Sequence, residues 1–574
     1  MCMTPLPLGT DDFRKLREGN FYYVDKTLMI QDFLTYKNEV ALITRPRRFG
    51  KTLNMTMLQE FFDLTKNSQD LFSGLNIMET TYANQINTKP AIYLTFKNCT
   101  GETINDLCVS LAQAMKEEYF KYEDQFKGKI DKTSNQYHGF YQTYEMLKEV
   151  RMIIKEDGTK TYHFDWLLLQ YSLIELIKAV SVFYQQQPIL LIDEYDQPLI
   201  EAHQNGFRES FLSHFYTTFF GSALKSNRYL GQALLTGIQR VAKESIFSKL
   251  NHFVVYAVTN KKYSSYFGLT EDETKAALEN IGMTLTEDIK RYYDGYLIGD
   301  LNIYNPWSVL SYLDEQILKP YWVNTSTNRL IKEAIPNAEG DFKEAFEILI
   351  LNEEVEVSVS LEASFMELAA SQTLWGLLVN SGYLTITKNY RSSFKRVKIP
   401  NEEVKEEFRT IVALYTRLNV DRLNEMFNAL IEQRMEQFLK VYQKLVYDHV
   451  SAHDVKQKGE KQPYHLENSY HMLFLGMAIS TSGMYKTTSN LESGDGRSDI
   501  IMESLQPHLR QHLIIEFKQG EDVKKLKQAA LNQILEKKYY IKLSGKVLCV
   551  GLAHNVKKCE LIYKEIIVDS YGHV

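Results

Sequence analysis

The chain has 574 residues, 44% of them hydrophobic and 24% charged, with a formal net charge of −6. That length corresponds to about three to four ordinary domains with real cores. The composition excludes a disordered chain and a globally basic nucleic-acid wrapper. Five scattered cysteines (Cys2, Cys99, Cys108, Cys549, Cys559) exclude a disulfide framework and metal-ligand spacing, and suggest reduced thiols. Met1 to Arg14 lacks a basic segment followed by an apolar one, so no secretion signal is expected, and the apolar run Met472–Ile479 is too short to span a bilayer. A soluble, cytoplasmic protein is expected, with no membrane partner. Residues 461–574 carry 15 Lys plus Arg against 12 Asp plus Glu, so the C-terminal end is the less acidic one.

In chain order, Thr10-Asp11-Asp12-Phe13 opens a short helix, and a second helix reaches about Tyr36. This opening segment either lies across the adenine side of a nucleotide or is a packing helix. Val40–Ile43 is a short aliphatic run stopped by Pro46, which reads as a buried strand. Arg45-Pro46-Arg47-Arg48-Phe49-Gly50-Lys51-Thr52-Leu53 follows and runs into a helix. Strand, tight loop with Gly-Lys-Thr, then helix is the arrangement that holds a nucleotide's phosphates. Backbone N–H groups cradle the anion, Lys51 reaches the β/γ oxygens, and the Thr52 hydroxyl serves Mg²⁺. The consensus glycine five positions before Gly50 is here Arg45.

Ala91–Phe96 reads as a second strand, followed by a helix from about Ile104 to Tyr119. Residues 121–163 are polar and lysine-rich. They read as a surface insertion with a hairpin turning at Asp157-Gly158, where positive φ is expected at both positions. After a helix from Trp166 to Tyr184, Ile189–Ile192 forms a buried strand ending in Asp193-Glu194. An ATPase needs one carboxylate there for the magnesium shell (Asp193) and one to polarise the attacking water (Glu194). Phe207–Leu224 has helical spacing. Tyr229–Thr236 is a further core strand whose polar tip, Thr236, suits a γ-phosphate sensor, and Arg240 is a candidate charge stabiliser. Val254–Ala257 reads as the last strand of this domain.

The expected organisation is a P-loop domain of the additional-strand type over residues 1–262, a mostly helical lid or connector over 263–450, a linker over 451–463 and a final α/β domain over 464–574. In that last domain, Tyr464–Ile479 reads as a helix that sets Glu467, His471 and Phe474 on one face. A glycine-rich turn (Gly494–Arg497) precedes a strand that starts near Asp499. Glu516-Phe517-Lys518 lies on the next strand, where Glu516 and Lys518 share a face. Two carboxylates and a lysine converging at a sheet edge suit Mg²⁺-dependent phosphodiester cleavage. A lysine-bearing helix, Val523–Leu535, with Gln533, and a strand at Val547–Gly551 complete a restriction-endonuclease-like order.

With both constellations in hand, the chain resembles the bacterial family of AAA-ATPase-like proteins with a C-terminal PD-(D/E)XK nuclease domain. The resemblance rests on Leu8–Phe13, Tyr23–Thr27, Arg45–Thr52, Leu191–Asp196, Leu235–Ile238, Tyr304–Trp307, Gly496–Asp499 and Glu516–Lys518, and so covers nearly the whole chain. The arginine-rich loop is typical of that family. The resemblance implies ATP and Mg²⁺ as cofactors, with Lys51 and Thr52 on phosphates and metal and Asp193 and Glu194 at the hydrolytic water. It further implies Asp499, Glu516 and Lys518 at the nuclease metal, with Glu467 and Gln533 as auxiliary positions. Nucleic acid, expected to be DNA, is the implied partner, and a homo-oligomer is allowed. The leading expectation is an ATP-driven nuclease of mobile-element or defence type. The alternative is a non-cleaving regulatory ATPase whose C-terminal fold only grips nucleic acid or a partner protein.

Overall fold

A computed structural model describes residues 4–240, 253–322, 331, 334–335, 338, 341–342, 345–346, 348–349, 354–362, 370–389, 394–415, 420–454, 474, 484–493, 496–505, 511–555, 558–569 and 571–573. The chain divides into two compact units, residues 1–331 with 357–403, and residues 332–356 with 404–574.

The first unit is organised on a parallel sheet. Its strands are β1 (Val40–Thr44), β2 (Ala91–Thr95), β5 (Ile189–Asp193), β6 (Gln232–Gly237) and β7 (Phe253–Tyr256), in the order β2-β5-β6-β1-β7. Between β2 and β5 in sequence lies a separate hairpin, β3 (Arg151–Ile154) with β4 (Lys160–His163). Every residue of β1 and β5 is buried, as expected of strands covered on both faces. β6 lies between β5 and β1, pairing Val40 with Ala233 on one side and Ile189 with Gln232 on the other. That inserted strand is the additional-strand arrangement, and it sets the tips of β1, β6 and β5 side by side.

Several local expectations change. The helix starting at Ile104 runs on to Phe126. The 121–163 stretch is not merely surface, because its helix His138–Glu149 buries Phe140, Tyr141, Thr143 and Leu147. At the hairpin turn only Gly158 has positive φ (+81°), and its N–H donates to the Lys155 carbonyl. The expected helix over Phe207–Leu224 is interrupted by a π turn at Leu212–Tyr216. Trp166–Tyr184 is, by length and composition, apolar enough to cross a membrane, unlike the shorter run singled out from the sequence. Here it is a packing helix, with Leu169, Leu173, Leu176, Ile177 and Val180 buried against the unit's other helices.

Among its described residues, the stretch expected to be mostly helical carries six short strands: β8 (Leu269–Thr270), β9 (Tyr296–Ile298), β10 (Leu301–Tyr304), β11 (Glu354–Ser358), β12 (Thr385–Asn389) and β13 (Phe394–Lys398). β11 alternates Glu-Val-Glu-Val with both valines buried, a signal the helical expectation passed over, and the others are too short or too mixed to show a period.

The second unit holds a five-stranded mixed sheet in the order β14 (Tyr485–Ser493), β15 (Gly496–Ser504), β16 (Gln511–Gln519), β17 (Gly545–His554), β18 (Cys559–Val568). β16 and β17 are parallel, joined by the helix Val523–Glu536, and the other pairs are antiparallel. One face buries Ile500, Met502, Leu513, Ile515 and Phe517 with Phe438, Tyr442 and Phe474, and the other buries Ile501, Ile514 and Cys549 with Leu531 and Ile534 of the helix. Helix Met435–Asp454 continues through the first four residues of the expected linker, and residues 455–463 lie outside the described ones, as do Glu467 and His471. Cys99, Cys108, Cys549 and Cys559 are buried and unpaired.

Candidate functional site

The phosphate-loop region is built where β1 ends. Gly50 takes φ +82°, a left-handed conformation that favours glycine, and the helix Lys51–Phe62 starts at the next residue. Thr52 and Thr236 both donate to Asp193, Oγ1 of Thr52 to Oδ2 (2.6 Å) and Oγ1 of Thr236 to Oδ1 (2.5 Å). One carboxylate thus ties together the helix start, the β5 tip and the β6 tip, three positions the sequence reading selected separately. Lys51 is buried and donates to the Arg45 and Pro46 carbonyls (3.1 and 2.8 Å). Burial lowers its pKa, opposed by Glu194, Asp193 and Asp196.

Glu194 sits at φ +53°, a conformation that costs a non-glycine residue about 1–3 kcal/mol and that clusters at functional sites. Burial raises its pKa and Asp193 raises it further, with Lys51 opposing. A strained, desolvated carboxylate beside Asp193 is chemically suited to take a proton from water.

Arg45, Arg48 and Phe49 pack against neighbouring segments. Arg45 is fully buried with no carboxylate partner among its hydrogen bonds, donating instead to the carbonyls of Thr44 (2.8 Å), Tyr256 (2.9 Å) and Tyr263 (3.4 Å). Desolvation pushes its pKa down to about 9. Arg48 stacks over Trp307 (4.4 Å), and Phe49 is buried edge-on against Tyr296 (5.0 Å). Arg47 lies close enough to Lys51 and Glu194 to affect both electrostatically. Leu53 is half-buried, its carbonyl accepting from Thr56. Arg240 forms an ion pair with Glu362. The opening helix is a packing element. The Phe13 amide donates to Thr56 of the loop helix (3.1 Å), and the Phe13 ring meets Tyr23 and Phe72.

The second constellation forms where β15 and β16 part. Their ladder runs from Met502↔Leu513 to Ile500↔Ile515. Beyond it, side chains replace backbone pairing: the Phe517 amide donates to Asp499 Oδ2 (2.7 Å), and the Asp499 amide donates to Glu516 Oε2 (3.2 Å). Lys518 Nζ lies 3.7 Å from Glu516 Oε1, and Gln533 donates to that same oxygen. Burial, and next the Asp499 carboxylate, push the Glu516 pKa up to about 8. Two crowded carboxylates short of compensating charge, with a lysine beside them, are a donor set that fits a hard divalent cation. Among the described residues, Asp499 and Glu516 are the carboxylates at this centre, and Glu467 lies outside the described residues.

The sequence reading missed Tyr539, whose hydroxyl accepts from Gln533 (3.0 Å) and so holds the amide that touches Glu516. It also missed Asp196, although three acids in Asp193-Glu194-Tyr195-Asp196 were a visible signal.

An additional-strand phosphate-loop sheet and a mixed sheet with a carboxylate–lysine centre define an ATPase-like protein carrying a nuclease-type domain. Comparison with known families agrees. Residues 7–247 match the predicted AAA-ATPase model, and residues 465–564 match the PD-(D/E)XK nuclease superfamily. The chain is an AAA-ATPase-like protein with a C-terminal PD-(D/E)XK nuclease superfamily domain. It is 25% identical over 411 residues to an uncharacterised protein in the vnfD 5' region of Azotobacter chroococcum, covering 71% of this chain and 69% of that one. A solved STAND ATPase with a tetratricopeptide repeat sensor from Pyrococcus horikoshii aligns at 10% identity and a TM-score of 0.23, covering 81% of this chain. The chain spans only 58% of that protein's length.

Proposed function

We propose that this chain binds and hydrolyses ATP with Mg²⁺ and uses the nucleotide state to control Mg²⁺-dependent cleavage of nucleic acid, DNA foremost, in the cytoplasm. A mobile-element or defence setting suits that pairing of activities, and a homo-oligomer is compatible with it. The observation that carries the nuclease half is the convergence of Asp499, Glu516 and Lys518 where β15 and β16 part.

In the first unit, the loop amides and Lys51 would hold the phosphates, Thr52 and Asp193 would hold Mg²⁺, and Glu194 would accept the proton of the attacking water. In the second, Asp499 and Glu516 would hold Mg²⁺, which supplies Lewis-acid charge to a phosphodiester when bound. Lys518 orients the incoming water and offsets charge, while Gln533 fixes the Glu516 carboxylate. Lys51, Thr52, Asp193, Glu194, Thr236 (as γ-phosphate sensor), Asp499, Glu516, Lys518 and Gln533 are the residues proposed for function.

The test is the purified chain with Mg²⁺, with and without ATP, against a panel of single- and double-stranded DNA and RNA. Cleavage that disappears in Asp499→Ala and Glu516→Ala variants of intact fold supports the reading, and unchanged cleavage refutes it. The net charge of −6 favours a second reading, a regulatory ATPase that grips without cutting, because duplex-gripping surfaces are usually basic. ATP-dependent binding without cleavage in the same panel would select it.

A further inference from the structure

The ladder between β5 and β6 ends at Ile192↔Leu235, one residue short of Asp193 and Thr236. On their outer sides the tips stay paired, Thr236 with Ile43 of β1 and Asp193 with Thr95 of β2, but between them no backbone ladder sets their separation. The two residues after Glu194 bridge that gap. The Tyr195 amide donates to the Thr236 carbonyl (3.0 Å), and the Tyr195 hydroxyl donates to the Gln239 carbonyl (2.6 Å). Asp196, buried at 1% exposure, accepts with one oxygen, Oδ2, the amides of both Ile238 (2.9 Å) and Gln239 (2.8 Å). The Tyr216 hydroxyl donates to the Tyr195 carbonyl and braces the pair from behind.

The fit is close. A Cβ on Gly237 would stand 2.6 Å from Asp196 Oδ1 and 2.8 Å from Tyr195 Cε1, so only glycine lets the loop approach this near. Four hydrogen bonds thus bind residues 195–196 to residues 236–239. Together with the β1 ladder they set where the β6 tip stands, and the hydroxyl bond from Thr236 to Asp193 follows from that position.

We propose that Tyr195 and Asp196 form a latch of positioning residues that holds Thr236 against Asp193, so that the two tips are set for attack of water on the γ-phosphate of ATP. The latch rests on the reading of this unit as an ATP hydrolase. Its hydrogen bonds reach the β6 tip and so act on turnover more than on nucleotide capture, while the Asp196 charge also bears on Lys51, an effect that Asp196→Asn removes without removing the bonds.

The test uses the full chain with Mg²⁺ and ATP, reading steady-state phosphate release, and binding of a fluorescent ATP analogue alongside. Asp196→Ala should lower kcat on the order of 10- to 100-fold while KM and analogue affinity stay within about twofold. Asp196→Asn keeps an acceptor oxygen for the two amides and should recover most of kcat, a rescue that a role based on charge would not give. Asp196→Ala combined with Thr236→Ala should be no slower than Thr236→Ala alone, since both act through one contact. Undiminished kcat in Asp196→Ala, a loss of affinity matching the loss of kcat, failure of the Asn variant, or multiplicative slowing in the double variant would each overturn the latch. A chain that binds the analogue but never releases phosphate would instead overturn the hydrolase reading beneath it.

Discussion

Glu516→Gln should make the metal-free protein more stable while removing any metal-dependent activity. Glu516 is 2% exposed, and burial together with Asp499 lifts its pKa from 4.5 to about 8. A shift of that size corresponds to roughly 5 kcal/mol between the two protonation states. Local relaxation relieves much of the cost of a buried charge, so about 2 kcal/mol is the gain expected from removing the Glu516 ionisation. The sign follows from linkage. The folded state holds the proton more tightly than the unfolded chain, so stability is full below about pH 4.5 and falls as pH rises through 8. Glutamine has no such loss, so its advantage should be smallest in acid and largest above about pH 8. Its amide oxygen can still accept from the Asp499 amide, and a turn of the Gln533 amide, with Tyr539 donating to it, restores the remaining pair. The assay is hydrogen–deuterium exchange in EDTA on peptides covering residues 511–519, with calorimetry of the whole chain. Added Mg²⁺ should slow exchange in the wild type and leave the variant unmoved. A variant less protected than wild type at high pH in EDTA would refute the crowded-carboxylate account.

Three further outcomes are expected. Thr236→Val keeps the shape but removes a hydrogen bond to a buried carboxylate, and should cost about 1.5–3 kcal/mol, read by calorimetry; an unshifted transition would show that the bond carries no weight. Arg45→Gly, although it restores the consensus phosphate-loop residue, should destabilise by about 3 kcal/mol, because the Tyr256 and Tyr263 carbonyls lose their donors and a cavity opens; a variant at least as stable as wild type in thermal unfolding would contradict this. His554 is buried, bonded to the Tyr442 hydroxyl (2.7 Å), and burial lowers its pKa to about 4. The unfolded chain therefore protonates first, and about 3 kcal/mol of stability should be lost as pH falls from 6.5 to 4, with none of that loss in His554→Gln; fluorescence-monitored denaturation across that range checks it.

What the sequence revealed followed from physical prominence. Val40–Ile43 and Ile189–Ile192 are uninterrupted aliphatic runs ending in charged or loop residues, and buried parallel strands have that texture. Asp499, Glu516 and Lys518 were readable because i, i+2 spacing fixes a common face on a strand. The edge strand β18 escaped notice because Cys559–Val568 mixes exposed Lys564 and Glu565 with buried Ile566 and Val568. Of the strands between residues 269 and 398, β11 carried a Glu-Val-Glu-Val alternation that the helical expectation overlooked, and the others were too short or too mixed to carry a period. Other misses came from contacts between residues distant in sequence. Nothing local at Tyr539 indicates that its hydroxyl supports Gln533, and nothing local at Arg240 indicates its pairing with Glu362.

Arg45 poses the sharpest question about the phosphate loop, since glycine at that position normally lets the backbone fold tightly around an anion. Here the loop's shape is imposed from outside. Arg45 anchors its base to three carbonyls, the Arg47 carbonyl accepts from the Trp322 indole (3.3 Å), Arg48 lies on Trp307, and Phe49 meets Tyr296. At Gly382 a Cβ would stand 2.9 Å from Pro46 Cβ, so the wall is close there as well. Trp322 is itself fixed, because the buried Glu403 carboxylate accepts the Tyr321 and Trp322 amides (2.7 Å each) and the Ser308 hydroxyl. A loop held by backbone carbonyls and side chains between Tyr256 and Trp322, with Gly382 close against Pro46, does not need a flexible glycine, and it cannot change shape alone. Any rearrangement that phosphates impose on Arg47–Phe49 must be shared with Trp307, Trp322 and Tyr296. The arginine-rich loop is therefore half of a packed joint, and the segment that follows the parallel sheet is the other half.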